Sequence, residues 1–361
     1  MIHFFDLTPD TLAAHCDRLG MRRFVADQLM QWVYRHGVTD WDRMTNLSKA
    51  DRATLQREIC FFRSREVQLQ QASDGTQKLL LGWMDDDASP AAGTSLPLLE
   101  TTARQTECVM IPTESRRTAC ISSQVGCPVG CRFCASGLGG LEGNLTRGQI
   151  LEQVHRLAQL PGVGRITNIV FMGMGEPLAN AAKVTDAIRT LNAPWGFGIS
   201  ARRITISTVG LPQAIRKLVT FEIPVTLALS LHAPTDALRR ELIPWSQYTT
   251  IDDLMAACQE YFNATGREIT LEYILLHHVN DQPEHAKALA DVASTLRANV
   301  NLIRYNEVRG LPFQRPATED VHNFQAILRR RGINVHIRAS RGRDIAAACG
   351  QLRHERRARS A

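Results

Sequence analysis

Apolar and polar positions follow three different rhythms along the 361 residues. Over roughly the first sixty the rhythm is helical. In FVADQLMQWVYRHG, Val25, Leu29, Trp32 and Val33 recur on one helix face. SKAD at 48–51 resembles a capping box, with Ser48 able to cap a helix start and Asp51 able to reach back to it. A small helical bundle is predicted, its Met and Trp residues packing the core. Two strand-like runs follow, 66–71 and 77–83, joined through Ser73-Asp74-Gly75-Thr76 as a hairpin. DDDASPAAGTSLP at 85–97 has no periodicity and reads as a mobile polar loop. A further strand-like run occupies 107–111.

From about residue 117 short β-branched runs recur at 118–122, 166–171, 204–207, 225–231, 269–275, 301–303 and 333–337. Between most of them lie helical stretches such as TRGQILEQVHRLAQL, DQPEHAKALADVASTLRA and TEDVHNFQAILRRRG. Strands alternating with helices imply βαβ units and an α/β fold with a parallel sheet, open or curled into a barrel. In such sheets the loops after the carboxyl ends of the strands build the active site.

Composition narrows the class. An apolar fraction of 44% with 22% charged residues suits a packed core and excludes a disordered or fibrous chain. No run of eighteen apolar residues exists, so no bilayer span is expected. The start, MIHFFDLTPD, lacks the basic and then apolar organisation of a secretory leader, so a cytoplasmic protein is expected. The net charge of +6 is unevenly placed: from Arg329 onward ten arginines face only Asp344 and Glu355. Such a basic region attracts a polyanion such as RNA through counterion release; a solvated helix face followed by a frayed tail, RHERRARSA, reads the same way. Nothing in the pattern indicates an oligomer, and a monomer is expected.

The nine cysteines are Cys16, Cys60, Cys108, Cys120, Cys127, Cys131, Cys134, Cys258 and Cys349. An odd count in a long chain argues for reduced thiols, metal ligation or catalysis rather than structural bridges. Gly-Cys127-Pro-Val-Gly-Cys131-Arg-Phe-Cys134 directly follows the first strand of the alternating region, and its spacing lets three thiolates converge on one centre. Zinc usually takes four ligands, commonly two CxxC pairs; no second pair exists, though Cys108 or Cys120 could complete such a site. Three thiolates without a fourth suit a four-iron cluster with one iron left open. On the residues alone, Cys120 reads as a small buried core residue and Cys349 as the end of a helix. Cys16, Cys60 and Cys258 match no motif and read as structural.

CxxxCxxC after the first strand of a repeating β/α region is the signature of radical S-adenosylmethionine (SAM) enzymes, which this chain resembles. The resemblance implies a partial (β/α)6 barrel and a 4Fe–4S cluster on Cys127, Cys131 and Cys134, whose open iron binds SAM and generates a 5′-deoxyadenosyl radical. Further segments narrow it: TACISSQVGC, Gly173-Met-Gly-Glu-Pro177, GFGISARRITISTVG, LALSLHAP, NLIRYN and DIAAACGQL, preceded by DQLMQWVYRHG and DRMTNLSKADR. In this order they resemble the RlmN/Cfr family of RNA adenine methyltransferases.

That resemblance implies a helical RNA-binding accessory domain at 1–62, a β extension at 63–112 and a radical SAM barrel at 113–352, with 353–361 a basic tail. It implies two SAM molecules, because an electron-poor adenine carbon cannot attack a methyl group itself. The first methylates Cys349; the second yields the radical that takes a hydrogen atom from the new S-methyl group. The methylene radical adds to the base, and Cys120 then attacks the Cys349 sulfur and releases the product through a transient disulfide. Positions 120 and 349 must therefore come together, with Cα atoms within about 7 Å. Glu107 of TECVMIP takes the place of the family's proton acceptor. SAM contacts fall on Gly175, Glu176, Ser207, Ser230, Leu231, His232 and Asn306. Glycines admit the methionine part, Glu176 accepts from its ammonium, and Ser and Asn bond the ribose hydroxyls.

The implied substrate is adenosine in 23S ribosomal RNA and, for C2-specific members, transfer RNA, with an electron donor such as flavodoxin or ferredoxin. Pro177 and the N-terminal helices fit the C2 branch. Arg304, where C2 enzymes usually have proline, fits the C8 branch. C2 is the expectation. The alternatives are the C8 reaction, a radical SAM enzyme with another substrate, and a zinc-bound RNA-binding protein without catalysis.

Overall fold

The computed structural model describes residues 1–84 and 104–352; the expected loop 85–97 and tail 353–361 lie outside the described residues. The N-terminal module comprises β1 (Ile2–His3), α1 (Pro9–Arg18), α2 (Phe24–Met30), α3 (Lys49–Glu58) and β2 (Ile59–Cys60). β1 pairs parallel with β2, a two-residue contact too short to leave a period in the sequence. α2 runs on into a π-helical turn at Gln31–Arg35. Val25, Leu29 and Val33 are buried as the spacing predicts, while Trp32 is half-buried. Ser48 caps α3: its Oγ accepts from the Asp51 amide at 3.0 Å and its hydroxyl donates to the Asp51 carboxylate at 2.7 Å. Buried Cys16 and half-buried Cys60 sit within this module.

The remainder is built on one ten-stranded sheet. Its antiparallel edge holds β3 (Ser64–Gln71), β4 (Gln77–Trp83) and β5 (Gln105–Pro112), the first two joined by the expected hairpin. β6 (Arg117–Cys120) begins the alternating region, followed by β7 (Gln124–Gly126), β8 (Leu141–Asn144) and α4 (Arg147–Ala158). Then come β9 (Asn168–Phe171), α5 (Ala181–Asn192), β10 (Ile204–Thr208), α6 (Pro212–Val219), β11 (Thr226–Ser230), α7 (Asp236–Leu242) and α8 (Ile251–Thr265). β12 (Ile269–Leu275), α9 (Pro283–Ser294), β13 (Ala298–Arg304), α10 (Thr318–Arg330) and β14 (Val335–Arg338) complete it.

The strand order is β14-β13-β12-β11-β10-β9-β6-β5-β4-β3. β6 and β9 to β14 are mutually parallel, so six β/α units are followed by a seventh strand. This is the α/β partial barrel expected from the sequence, with the β extension fused onto its edge through the β5–β6 pairing. β13 is longer than the predicted 301–303 because its seven-residue register with β12 recruits Ala298, Asn299 and Val300, which lack a β-branched run.

Two faces alternate along these strands. Leu79, Leu81, Cys108, Met110, Ala119, Ile121, Ile169 and Phe171 join the main core. Their neighbours Val109, Cys120, Val170 and Met172 turn to the inner face and pack with Ile345, Ala347 and Leu352. After β14 the chain therefore crosses the inside of the sheet as a strap, passing from one edge toward the other.

Module and barrel are joined through α4. Glu152, fully buried, accepts from the Arg63 amide (2.9 Å), the Ser64 amide (3.1 Å), the Ser64 hydroxyl and Arg156 Nε (2.9 Å). His3 of β1 lies 3.2 Å from the same carboxylate. Among the described residues no helix is long and apolar enough to cross a membrane.

Candidate active site

The three clustered cysteines lie on the loop between β7 and β8, a small antiparallel pair that the sequence pattern did not reveal. The pair is closed by Gly126, whose φ of +76° and close approach to the Gly140 carbonyl leave no room for a Cβ. Cys127 donates its amide to Gly140 O (3.0 Å), and the Cys134 amide donates to Cys131 O (3.1 Å). Val129 and Phe133 bury the loop's apolar side against Leu242, Ile243, Ile274 and Tyr305.

Cys127, Cys131 and Cys134 all line one cavity. Burial pushes the Cys127 thiol up to about 12, and the neighbouring Cys134 adds to it. Burial raises Cys131 as well, reinforced by Cys134 and Cys127, while the buried Arg239 guanidinium opposes it. The loop thus gathers three thiols that cannot all ionise without a bound cation. Among the described residues the other cysteine on this cavity is Cys349, so the three clustered thiols form a donor set that fits an iron–sulfur group with one iron left open.

The same cavity collects the carboxyl ends of successive strands: Met172 after β9, Ser207 of β10, Ser230 of β11, Glu272 and Ile274 of β12, Ile303 of β13 and Arg338 of β14. Ser207 and Ser230 hydroxyls are 3.1 Å apart on adjacent strands. Gly175 and Glu176 line it from the loop after β9. At Gly175, φ is +104° and a Cβ would meet Gln124 Cβ at 2.6 Å. Glu176 holds this loop in place: its two oxygens accept from the Leu178 and Val209 amides, both at 2.9 Å. Burial raises its pKa. An incoming ammonium is left only the remaining lone pairs of those oxygens.

His232 also faces the cavity, in a left-handed conformation with φ +59°. Its Nδ1 accepts from the Ile274 amide at 3.1 Å, and burial lowers its pKa to about 3. The ring is therefore neutral with its proton on Nε2, a donor. Of the expected SAM contacts, two fall elsewhere. Leu231 is fully buried in the main core, as its position on the outer strand face dictates. Asn306 lines a second cavity and accepts from Arg315 at 3.1 Å.

That second cavity holds Cys120, Met172, Arg338, Ala348 and Cys349. Cys349 lines both cavities. Burial pushes the Cys120 thiol up to about 12, with Cys349 adding to the rise and Arg338 countering it. Cys108, by contrast, faces the opposite side of the sheet. Glu107 lies on the inner face of β5 and pairs with Lys78 of β4 at 3.2 Å. Sequence reasoning missed Lys78, Arg239, Glu272 and Arg338. Lys78 and Glu272 are charged residues inside apolar strands, a signal that could have exposed them, whereas Arg239 and Arg338 sit in charged stretches that mark neither. Arg338 belonged to the expected basic face but instead lies inside the barrel, 3.7 Å from Glu272 and 3.3 Å from Met172 Sδ. The Cys349 thiol, Glu272 and Cys120 around it raise its pKa. Arg331 and Arg341 pair with Asp291 (2.7 Å) and Asp74 (3.9 Å), which further thins that basic face.

Comparison with known proteins adds sequence and structural relatives. Residues 2–61 match the ribosomal RNA large subunit methyltransferase N-terminal domain, and residues 121–290 the radical SAM superfamily. The chain is 42% identical over 98% of its length, and 91% of the relative's, to "Probable dual-specificity RNA methyltransferase RlmN" of Rhodopirellula baltica. It is 40% identical over 97% of its length, and 96% of the relative's, to "Dual-specificity RNA methyltransferase RlmN" of Syntrophus aciditrophicus. A radical SAM methyltransferase from Sphaerobacter thermophilus superposes with a TM-score of 0.90 at 40% identity, covering 98% of this chain and 100% of that one.

Proposed function

Because the chain belongs to the RlmN family of radical SAM RNA methyltransferases, we propose that it methylates C2 of adenosine in 23S ribosomal RNA and in transfer RNA, with Cys349 as the methyl carrier. The family's cofactors are a 4Fe–4S cluster and SAM. In this reading Cys127, Cys131 and Cys134 hold the cluster, which when bound supplies the electron that splits SAM. An external donor of the flavodoxin or ferredoxin type replaces that electron.

The observation that carries the reading is the position of Cys349 on the wall shared by the two cavities. On one side lie the three cluster cysteines and the serines of β10 and β11; on the other lies Cys120. A thiol there can take a methyl group from SAM as a thiolate. The methyl then stands on the side where a radical is formed. The opposite side gives Cys120 access to the Cys349 sulfur once the base is attached. The base loses its C2 proton to Glu107. Burial keeps Cys120 protonated at rest, so it becomes a nucleophile only when its proton is removed. Arg338, which counters that rise, stabilises the thiolate as it forms.

Arg304, the departure from the C2 pattern, faces neither cavity. Its Nε donates to Pro316 O at 2.8 Å and its NH1 to Thr318 Oγ1 at 2.9 Å, holding the start of α10. It supplies no reason to favour C8.

The test is peptide mass spectrometry of anaerobically prepared holoenzyme, coupled to nucleoside analysis of a 23S RNA fragment. An S-methyl group on Cys349, 2-methyladenosine in the RNA, and an RNA–protein adduct trapped by Cys120→Ala are expected. Full activity with Cys349 permanently bare would remove the carrier reading.

A further inference from the structure

The strap carrying Cys349 is pinned at one end by the β3–β4 hairpin, some 270 residues earlier in the chain. Asp74 Oδ2 accepts from the Gly342 amide (3.1 Å), and Asp344 Oδ2 accepts from the Ser73 amide (2.8 Å). Thr76 packs so closely on Gly342 that a Cβ there would meet its Cγ2 at 2.9 Å. At the far end, the Gly350 carbonyl accepts from the Ala135 amide at 2.7 Å, beside Cys134. Between these anchors Ala346 adopts φ +50°, ψ +42°, a left-handed conformation that an alanine takes only at a cost. Lys78, a residue only 5% exposed, meets it there: its ammonium donates to Ala346 O at 3.1 Å. The same ammonium is 3.2 Å from Glu107 Oε1.

We propose that Lys78 is a positioning residue for Cys349, its ammonium holding the strap backbone at Ala346 so that the sulfur three residues later stands between the two cavities. A buried ammonium requires partners. Lys78 has two, the carbonyl exposed by the left-handed turn and the carboxylate of β5, so one cation ties the methyl-carrying segment to the proton acceptor. The inference rests on the reading of Cys349 as the carrier.

The test uses anaerobic holoenzyme of four variants, K78M, K78R, K78M/A346G and C349A, with a 23S RNA fragment. Iron content and uncoupled release of 5′-deoxyadenosine report an intact barrel. K78M is expected to retain both while kcat falls about 100-fold, the cost of displacing a reacting group by roughly an ångström. KM for RNA stays within about twofold, since the cation touches no RNA in this scheme. K78R restores most of the rate. K78M/A346G restores part of it, because glycine takes the left-handed turn without a clamp. That rescue leaves Glu107 without its ammonium and so assigns the loss to the strap. K78M active within about threefold of wild type overturns the proposal, as does a double variant no faster than K78M. If K78M fails to hold iron, K78R decides: near-normal turnover supports the clamp, and a loss equal to that of K78M overturns it. C349A is inactive on the carrier reading; if it methylates RNA, that reading fails whatever the Lys78 variants do.

Discussion

Replacing Glu152 with Gln tests how the N-terminal module is fastened to the barrel. The carboxylate receives two amides, a hydroxyl and the Arg156 guanidinium, with His3 at ion-pair distance. Glutamine keeps one acceptor oxygen and turns the other into a donor facing donors. A buried, multiply hydrogen-bonded charge lost in this way costs about 3 kcal/mol. With an unfolding entropy of roughly 2 cal/mol/K per residue, that lowers Tm by about 4 °C in a chain of this length. The pH dependence carries the sharper signature. Burial pushes Glu152 up, but His3, Ser64 and the Arg63 amide outweigh it and hold it below 4.5. Its contribution is therefore present above 4.5 and lost as pH falls through the lowered value. Burial likewise pulls His3 down, but Asp6 and Glu152 raise it above 6.5. Its contribution is full below 6.5 and lost as pH rises through the raised value. The gap in Tm between wild type and E152Q, followed by scanning calorimetry of the holoenzyme, is expected to be widest between pH 4.5 and 6.5 and to narrow on both sides. A Tm for E152Q within about 1 °C of wild type at pH 6 would show that the five contacts do not act as the fastening described.

Three further outcomes are expected. Gly175→Ala forces a Cβ onto Gln124 and Ser123, so SAM affinity by calorimetry should weaken at least about tenfold with iron content unchanged; unaltered binding would contradict the close-approach argument. Arg304→Ala should leave the methylated carbon unchanged in nucleoside mass spectrometry, because the side chain is engaged with Pro316 and Thr318 and is not among the residues lining either cavity; a shift from C2 to C8 would refute that. Cys120, buried and pushed up to about 12, should resist iodoacetamide at pH 8 in folded protein and react on unfolding; rapid labelling in the folded state would mean that the thiol is open or ionised.

Much of the barrel could be read because parallel strands buried on both sides leave β-branched runs, as at Ile269–Leu275, where prediction and structure coincide. The cysteine spacing likewise pointed to one loop, whose three thiols line a single cavity. What stayed hidden depended on partners distant in sequence. β7 and β8 are three and four residues long, rich in glycine, and exist only as each other's complement. That Cys120 faces inward while Cys108 faces outward follows from strand registry, which no local pattern near either residue specifies. Arg338 looked like one more cation in a basic stretch because nothing in its neighbours encodes Glu272 and Met172 across the barrel.

The strap leaves the sheet at its last strand and is gripped by the hairpin at its first. It therefore works as a tie-rod across an unclosed ring, fixing the span between the two outermost edges. Any load that spreads those edges pulls on the rod, and with it on the sulfur at position 349.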